Sequence, residues 1–167
     1  MAVLRIIAVA AWLSSIACSI ESQSEVSLPP VDSAQFTEIQ AFVGPGCGTL
    51  DCHGDPGRPL RLYSVYGLRL TLDLRTPSTI PASAPTPITM EEMARNSLSF
   101  AAFAVDIPVD QQRSLAKPLS EAAGGMSHEG GDLWPSKESP EYLCLRAWLD
   151  GSQNASACAD AAAAAPF

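Results

Sequence analysis

Proline and glycine recur too often in this chain for long regular elements to fit between them. The 167 residues include 14 prolines and 11 glycines, about one position in seven. Proline removes a backbone donor and glycine costs backbone entropy, so short helices joined by long ordered loops are favoured over an extended sheet or a long bundle. Function in such a chain belongs to the loops.

The core available to it is modest. Hydrophobic residues make up 47% of the chain, but 25 of them are alanine and only 11 are aromatic. A single domain of this size gains from a covalent or cofactor staple. The 18 acidic residues against 10 basic ones give a formal net charge of −8, with no cluster of Lys and Arg. That balance excludes a nucleic-acid backbone as partner and favours a basic protein.

The first 17 residues read as a secretory signal: Arg5 closes a short cationic segment, Ile6 to Leu13 is apolar, and small residues run up to Ala17. The apolar run is too short to span a bilayer. Cys18 follows at once, and Ser15-Ile16-Ala17-Cys18 forms a lipobox-like site with Ser where Leu is usual. Lipidation of Cys18 would anchor the chain to a membrane; soluble export would leave Cys18 a spare thiol. Residues 18–31 are Ser/Glu-rich and end in Pro29-Pro30, the composition of a tether.

The expected domain spans 32–151. Asp32 or Ser33 can cap a first helix carrying Phe36, Ile39, Phe42 and Val43 on one face until Gly44-Pro45-Gly46 stops it. Alternating leucines between Leu60 and Leu74 allow one short extended piece, and Thr76 to Pro87, with four prolines, is loop. Thr89-Met90-Glu91-Glu92 is a capping box opening a second helix to about Phe103. A third begins at Ser139 with Pro140 at its first position, presents Tyr142, Leu145, Trp148 and Leu149, and stops at Gly151. Residues 152–167 form an alanine-rich tail to which no structure is assigned beyond Cys158. Cys144 and Cys158 lie fourteen positions apart with Gly151 turning the chain between them, so a disulfide pinning the tail is expected.

The chemistry concentrates in Gly46-Cys47-Gly48-Thr49-Leu50-Asp51-Cys52-His53-Gly54. Its form, C-x-x-x-x-C-H, is a widened version of the loop that holds a covalent c-type haem, where two thiols take the two vinyl groups and the following His is the proximal iron ligand. Two other readings stay open: a tight Cys47–Cys52 disulfide with an exposed His53, and a zinc site, whose further donors Cys144, Cys158 and His128 are scattered. The second histidine, His128, sits among glycines 124, 125, 130 and 131, which let backbone approach a flat ligand. Met126 and His128 compete for the sixth iron position, with His128 the first choice.

Asp51, Asp55, Glu91 and Glu92 read as solvated surface, because no nucleophile or paired-carboxylate pattern accompanies them. Ser127-His128-Glu129 is no triad, since sequence neighbours rarely point at one another. Tyr63, Tyr66 and Trp134 receive no role beyond packing.

Taken together, Phe36 to Gly151 resembles the cytochrome c-like domains of small exported bacterial lipoproteins. The resemblance rests on Cys52-His53-Gly54, Lys117-Pro118-Leu119, the His128-to-Gly131 loop, and the closing Tyr142-to-Gly151 segment of the form Y-x-x-L-x-x-W-L-x-G. It implies an all-α haem fold in which the first and last helices pack together. It further implies haem c held by Cys47, Cys52 and His53, with His128 matching the loop histidine; Glu129 interrupts what is often an H-G-G-G run. The expected protein is a mono-haem electron carrier of the bacterial envelope with a redox protein partner, not an enzyme. A haem-free, disulfide-stapled envelope lipoprotein is the alternative.

Overall fold

Phe36, Ile39, Phe42 and Val43 recur at helical spacing, and in the computed structural model they form the buried face of helix α1, Phe36–Cys47. The structure describes residues 36–70, 87–104 and 107–165. The signal-like segment, Cys18, the tether, the caps Asp32 and Ser33, and all but Pro87 of the proline-rich loop lie outside them.

Gly44-Pro45-Gly46 does not stop α1; the helix runs through it to Cys47. Pro45 lies in the last turn, where its missing donor costs a single intrahelical bond. The amide of Gly48 then reaches back to the Val43 and Gly44 carbonyls at 3.1 and 3.0 Å. This extra turn puts Cys47 on the helix rather than in the loop after it.

Helix α2, Met90–Ala102, opens on the expected capping box: the Thr89 hydroxyl accepts from the Glu92 amide, and the Glu92 carboxylate accepts from the Thr89 amide. After a short turn of helix α3, Arg113–Ala116, helix α4, Pro140–Leu149, begins with its proline in the first turn. The chain leaves α4 through Gly151 at φ 72°, a conformation that suits glycine. The tail is a correction to the sequence reading, because Ala155–Ala164 forms a fifth helix, α5, capped by the Asn154 side chain. Its alanines favour helix but mark no apolar face, so periodicity missed it. Ala157, Cys158 and Ala161 are buried, and their small side chains let α5 lie close against α1 and α4.

Phe36 joins these layers, 5.9 Å from the Phe100 ring of α2 and 5.1 Å from the Trp148 ring of α4. Between Leu60 and Leu70 the described chain makes only an isolated bridge, Tyr63 to Leu68, and a second such bridge joins Leu119 to Trp134. Among the described residues there are helices and turns but no strand, so the described part is all-α. No helix there is long and apolar enough to cross a membrane.

Two buried polar groups of α2 anchor the segment that follows the cysteine loop. Asn96 accepts from the Tyr63 amide at 2.7 Å and donates to the Tyr63 carbonyl at 2.8 Å and to Gln40 of α1 at 2.7 Å. Glu92, expected on the surface, is fully buried. Its carboxylate accepts from Arg69 at 2.8 and 3.1 Å, from the Leu70 amide at 2.9 Å and from the Thr89 amide at 2.7 Å. Burial alone would raise its pKa, but the Arg69 guanidinium and the two amides outweigh it and hold the carboxyl at about 2. Asp51, Asp55 and Glu91 are exposed, as expected.

The expected bridge between Cys144 of α4 and Cys158 of α5 is present, with both residues fully buried. A loop of this length contributes about 3 kcal/mol on the chain-entropy account. Cys144→Ser or Cys158→Ser should therefore lower the melting temperature by roughly 10 °C. Thermal unfolding with and without reductant measures it; an unchanged midpoint would show that the helix packing holds α5 without the bridge.

Candidate functional site

The cysteine loop is folded tightly on itself. The Cys52 and Gly54 amides both donate to the Thr49 carbonyl, at 3.0 and 2.8 Å, and the His53 amide donates to the Cys47 carbonyl at 2.9 Å. Gly54 and Gly67 make this possible, because a Cβ on either would run into the backbone of Gly48. Ser64 donates its hydroxyl to the Gly48 carbonyl from the same side. The loop is thus compressed against the chain that Asn96 and Glu92 hold in place.

His53 is fixed at three points. Besides its amide bond to Cys47, its carbonyl accepts from the Leu62 amide at 2.8 Å, and its ring Nδ1 donates to the Leu60 carbonyl at 2.9 Å. A carbonyl can only accept, so the proton is on Nδ1 and Nε2 keeps its lone pair. Burial pushes the pKa of His53 below its ordinary value; the Leu60 bond opposes this, while the nearby His128, Arg58 and Lys117 add to it. The ring is therefore neutral at physiological pH and is oriented by a backbone acceptor, an arrangement also common among imidazoles that hold metals.

His128 is carried by a loop closed at its base. The Leu133 and Trp134 amides both donate to the Pro118 carbonyl at 2.9 Å, and the Ser120 amide donates to the Trp134 carbonyl at 2.8 Å. That is the structural content of Lys117-Pro118-Leu119: Pro118 supplies the acceptor that joins the two ends. Within the loop the Gly131 amide donates to the His128 carbonyl at 2.9 Å. The Nδ1 of His128 is buried without a partner, and a Cβ added at Gly130 would stand 2.9 Å from the imidazole Cε1. The His128 ring thus occupies the space that any larger residue at 130 would need.

These two loops bring the two histidines of the chain together. Their ring centroids are 6.1 Å apart and their planes differ by 12°. The rings are thus near-parallel, and the separation alone matches the roughly 6 Å between ring centres that two imidazoles sharing one metal would need. Both rings line a cavity of about 540 Å³, within the range of cofactor pockets. Its wall also includes Cys47, Cys52, Leu60, Phe100, Phe103 and Trp134. Trp134, given only a packing role by sequence, both packs in the core and faces this cavity.

Cys47 and Cys52 are free thiols at the edge of the same space and do not bridge. Burial, and then the neighbouring Cys52, push the Cys47 thiol up to about 12. A thiol held so strongly in its neutral form is no activated nucleophile. Met126, the alternative ligand, is 44% exposed and is not among the cavity-lining residues. Glu129 turns outward and meets Arg58, which follows the cysteine loop, at 3.0 Å; both side chains are exposed, so the pair clasps the two loops across the cavity mouth without adding much stability.

Among the described residues no three His, Cys, Asp or Glu side chains gather as a metal site. The donors available are two near-parallel imidazoles and two free thiols, the residue types that could hold a covalently attached haem. Sequence reasoning missed three contributors to the site: the Leu60 carbonyl, the Arg58–Glu129 pair and the cationic wall of α3. The first is backbone and carries no sequence signal, and the second joins residues 71 positions apart. The third, Arg113 and Lys117, was legible only as an i, i+4 pair once α3 was known to be helical. No family model, curated protein or solved structure matches the chain.

Proposed function

We propose that this chain is an exported mono-haem c-type cytochrome-like protein that carries single electrons in the bacterial envelope. The observation that carries the reading is the facing pair His53 and His128, 6.1 Å apart in a cavity edged by two free thiols. In this reading Cys47 and Cys52 hold haem by thioethers, His53 is the proximal ligand and His128 the distal one. Bound there, haem supplies a metal that exchanges one electron at a time without an organic substrate.

The chain's own residues account for the rest. The Leu60 carbonyl fixes the His53 ring in the tautomer whose Nε2 can ligate. Phe100, Phe103 and Trp134 give the cavity an apolar wall on one side, and a haem bound against it would have its potential tuned by that burial. The α1 turn that carries Cys47, together with the Gly54 and Gly67 contacts, sets the cysteine loop against the His53 ring. Export through residues 1–17, lipidation at Cys18 and docking to a basic redox partner belong to the same proposal, and the net charge of −8 supports the last of these.

The test is expression with a c-type maturation system. The exported protein should carry a mass increment of one haem that survives denaturation. Cys52→Ser should abolish most of it, and Cys47→Ser should retain haem through one thioether. A colourless matured protein with Cys47 and Cys52 bridged to each other would replace this reading by the haem-free stapled scaffold.

A further inference from the structure

We propose that Arg113, Ser114 and Lys117 form a subsite on the cavity wall that binds a carboxylate. The three residues belong to one turn, Arg113 and Ser114 opening α3 and Lys117 capping it, and all three line the cavity. Arg113 and Lys117 are four apart, so they share a face of that turn. Ser114 is only 8% exposed, and its hydroxyl is buried with no hydrogen-bond partner. A buried hydroxyl without a partner costs free energy, so an acceptor from a water or a ligand at this point would be favoured.

The charges point to the kind of ligand. Among the described residues Arg58, Arg69, Arg95 and Arg146 each meet a carboxylate; Arg61, Arg113, Lys117 and Lys137 make no ion pair, and of these four only Arg113 and Lys117 line the cavity. Two acids, Asp51 and Glu129, line the same cavity, and Glu129 is taken by Arg58. A chain of net charge −8 thus sets two cations without an ion pair and an unpartnered hydroxyl on one turn of the cavity wall. That donor set fits a carboxylate, with Arg giving a planar fork and Lys a point charge. The subsite stands on these contacts; naming its ligand as a carboxylate arm of the macrocycle rests on the haem reading. A free aromatic acid has the same chemistry.

Titration of the reduced, haem-free full-length chain separates the possibilities, with quenching of tryptophan fluorescence as readout because Trp134 lines the cavity. The probes are haemin, haemin dimethyl ester, the metal-free aromatic acid 1-pyrenebutyrate, and its methyl ester. Haemin should bind at least tenfold more tightly than its diester. The double substitution Arg113→Gln with Lys117→Gln should remove that preference without changing diester binding, and Ser114→Ala should reduce it several-fold. Circular dichroism checks that each variant folds. If haemin and its diester bind alike, or if the substitutions weaken both equally, the subsite is refuted while the haem reading stands. If neither porphyrin binds but 1-pyrenebutyrate does, in preference to its ester and dependent on Arg113 and Lys117, the subsite stands and the haem reading falls. If no acid binds better than its ester, the subsite is overturned.

Discussion

Glu92→Ala should destabilise the fold by about 3 to 5 kcal/mol, the usual cost of removing one partner from a buried ion pair. The carboxylate is fully buried and accepts from Arg69 and from the amides of Leu70 and Thr89, so its loss strands three sets of donors at once. Of a total stability of roughly 5 to 15 kcal/mol for a domain of this size, that share is large enough to unfold a marginal protein. The same group predicts an acid limb. Its folded pKa is about 2 against an ordinary 4.5, so its contribution is complete above pH 4.5 and is lost as the pH falls toward 2. The drop corresponds to about 3 kcal/mol. Urea unfolding of wild type and Glu92→Gln between pH 6 and about 2 checks it: the wild-type curve should fall toward that of the variant as acid is added. Parallel curves across this range would show that Glu92 does not titrate with folding.

The second large effect concerns the facing histidines, in protein matured with haem. His53→Ala should eliminate the low-spin spectrum, because it removes the ring that the Leu60 carbonyl and the flanking backbone bonds hold in place. His128→Ala should leave haem attached, turn the spectrum high-spin, and regain low spin on addition of imidazole, which fits the space the side chain vacates. Gly130→Ala tests the positioning directly. The added methyl would press on the His128 ring, so this variant should show a high-spin fraction while the exposed loop keeps the stability of the wild type. Met126→Ala should change neither spectrum nor stability, since Met126 stands outside the cavity. A spectrum insensitive to His128→Ala would remove that residue from the ligand set.

Much of this molecule is determined by features local enough to read along the chain. The capping box at Thr89 and Glu92, the proline-led start of α4, the glycine after it and the Cys144–Cys158 bridge each depend on residues a few positions apart or joined by one turn. That Cys47, Cys52 and His53 share one tight loop is legible for the same reason. What tertiary structure alone decided lies in the long-range contacts. Glu92 looks like any first-turn acid until Arg69 and Leu70 close over it, and α5 shows no apolar stripe until α1 and α4 supply a surface on which alanine is the right size. Gly44-Pro45-Gly46 carries stop signals, yet the helix continues because the Gly48 amide finds carbonyls behind it. The choice between His128 and Met126, two residues apart in one loop, cannot be made from spacing. What tertiary structure adds is their position: the Pro118 clasp at the loop's base and the empty side of Gly130 leave the imidazole in the cavity beside His53, while Met126 stands outside its lining and exposed.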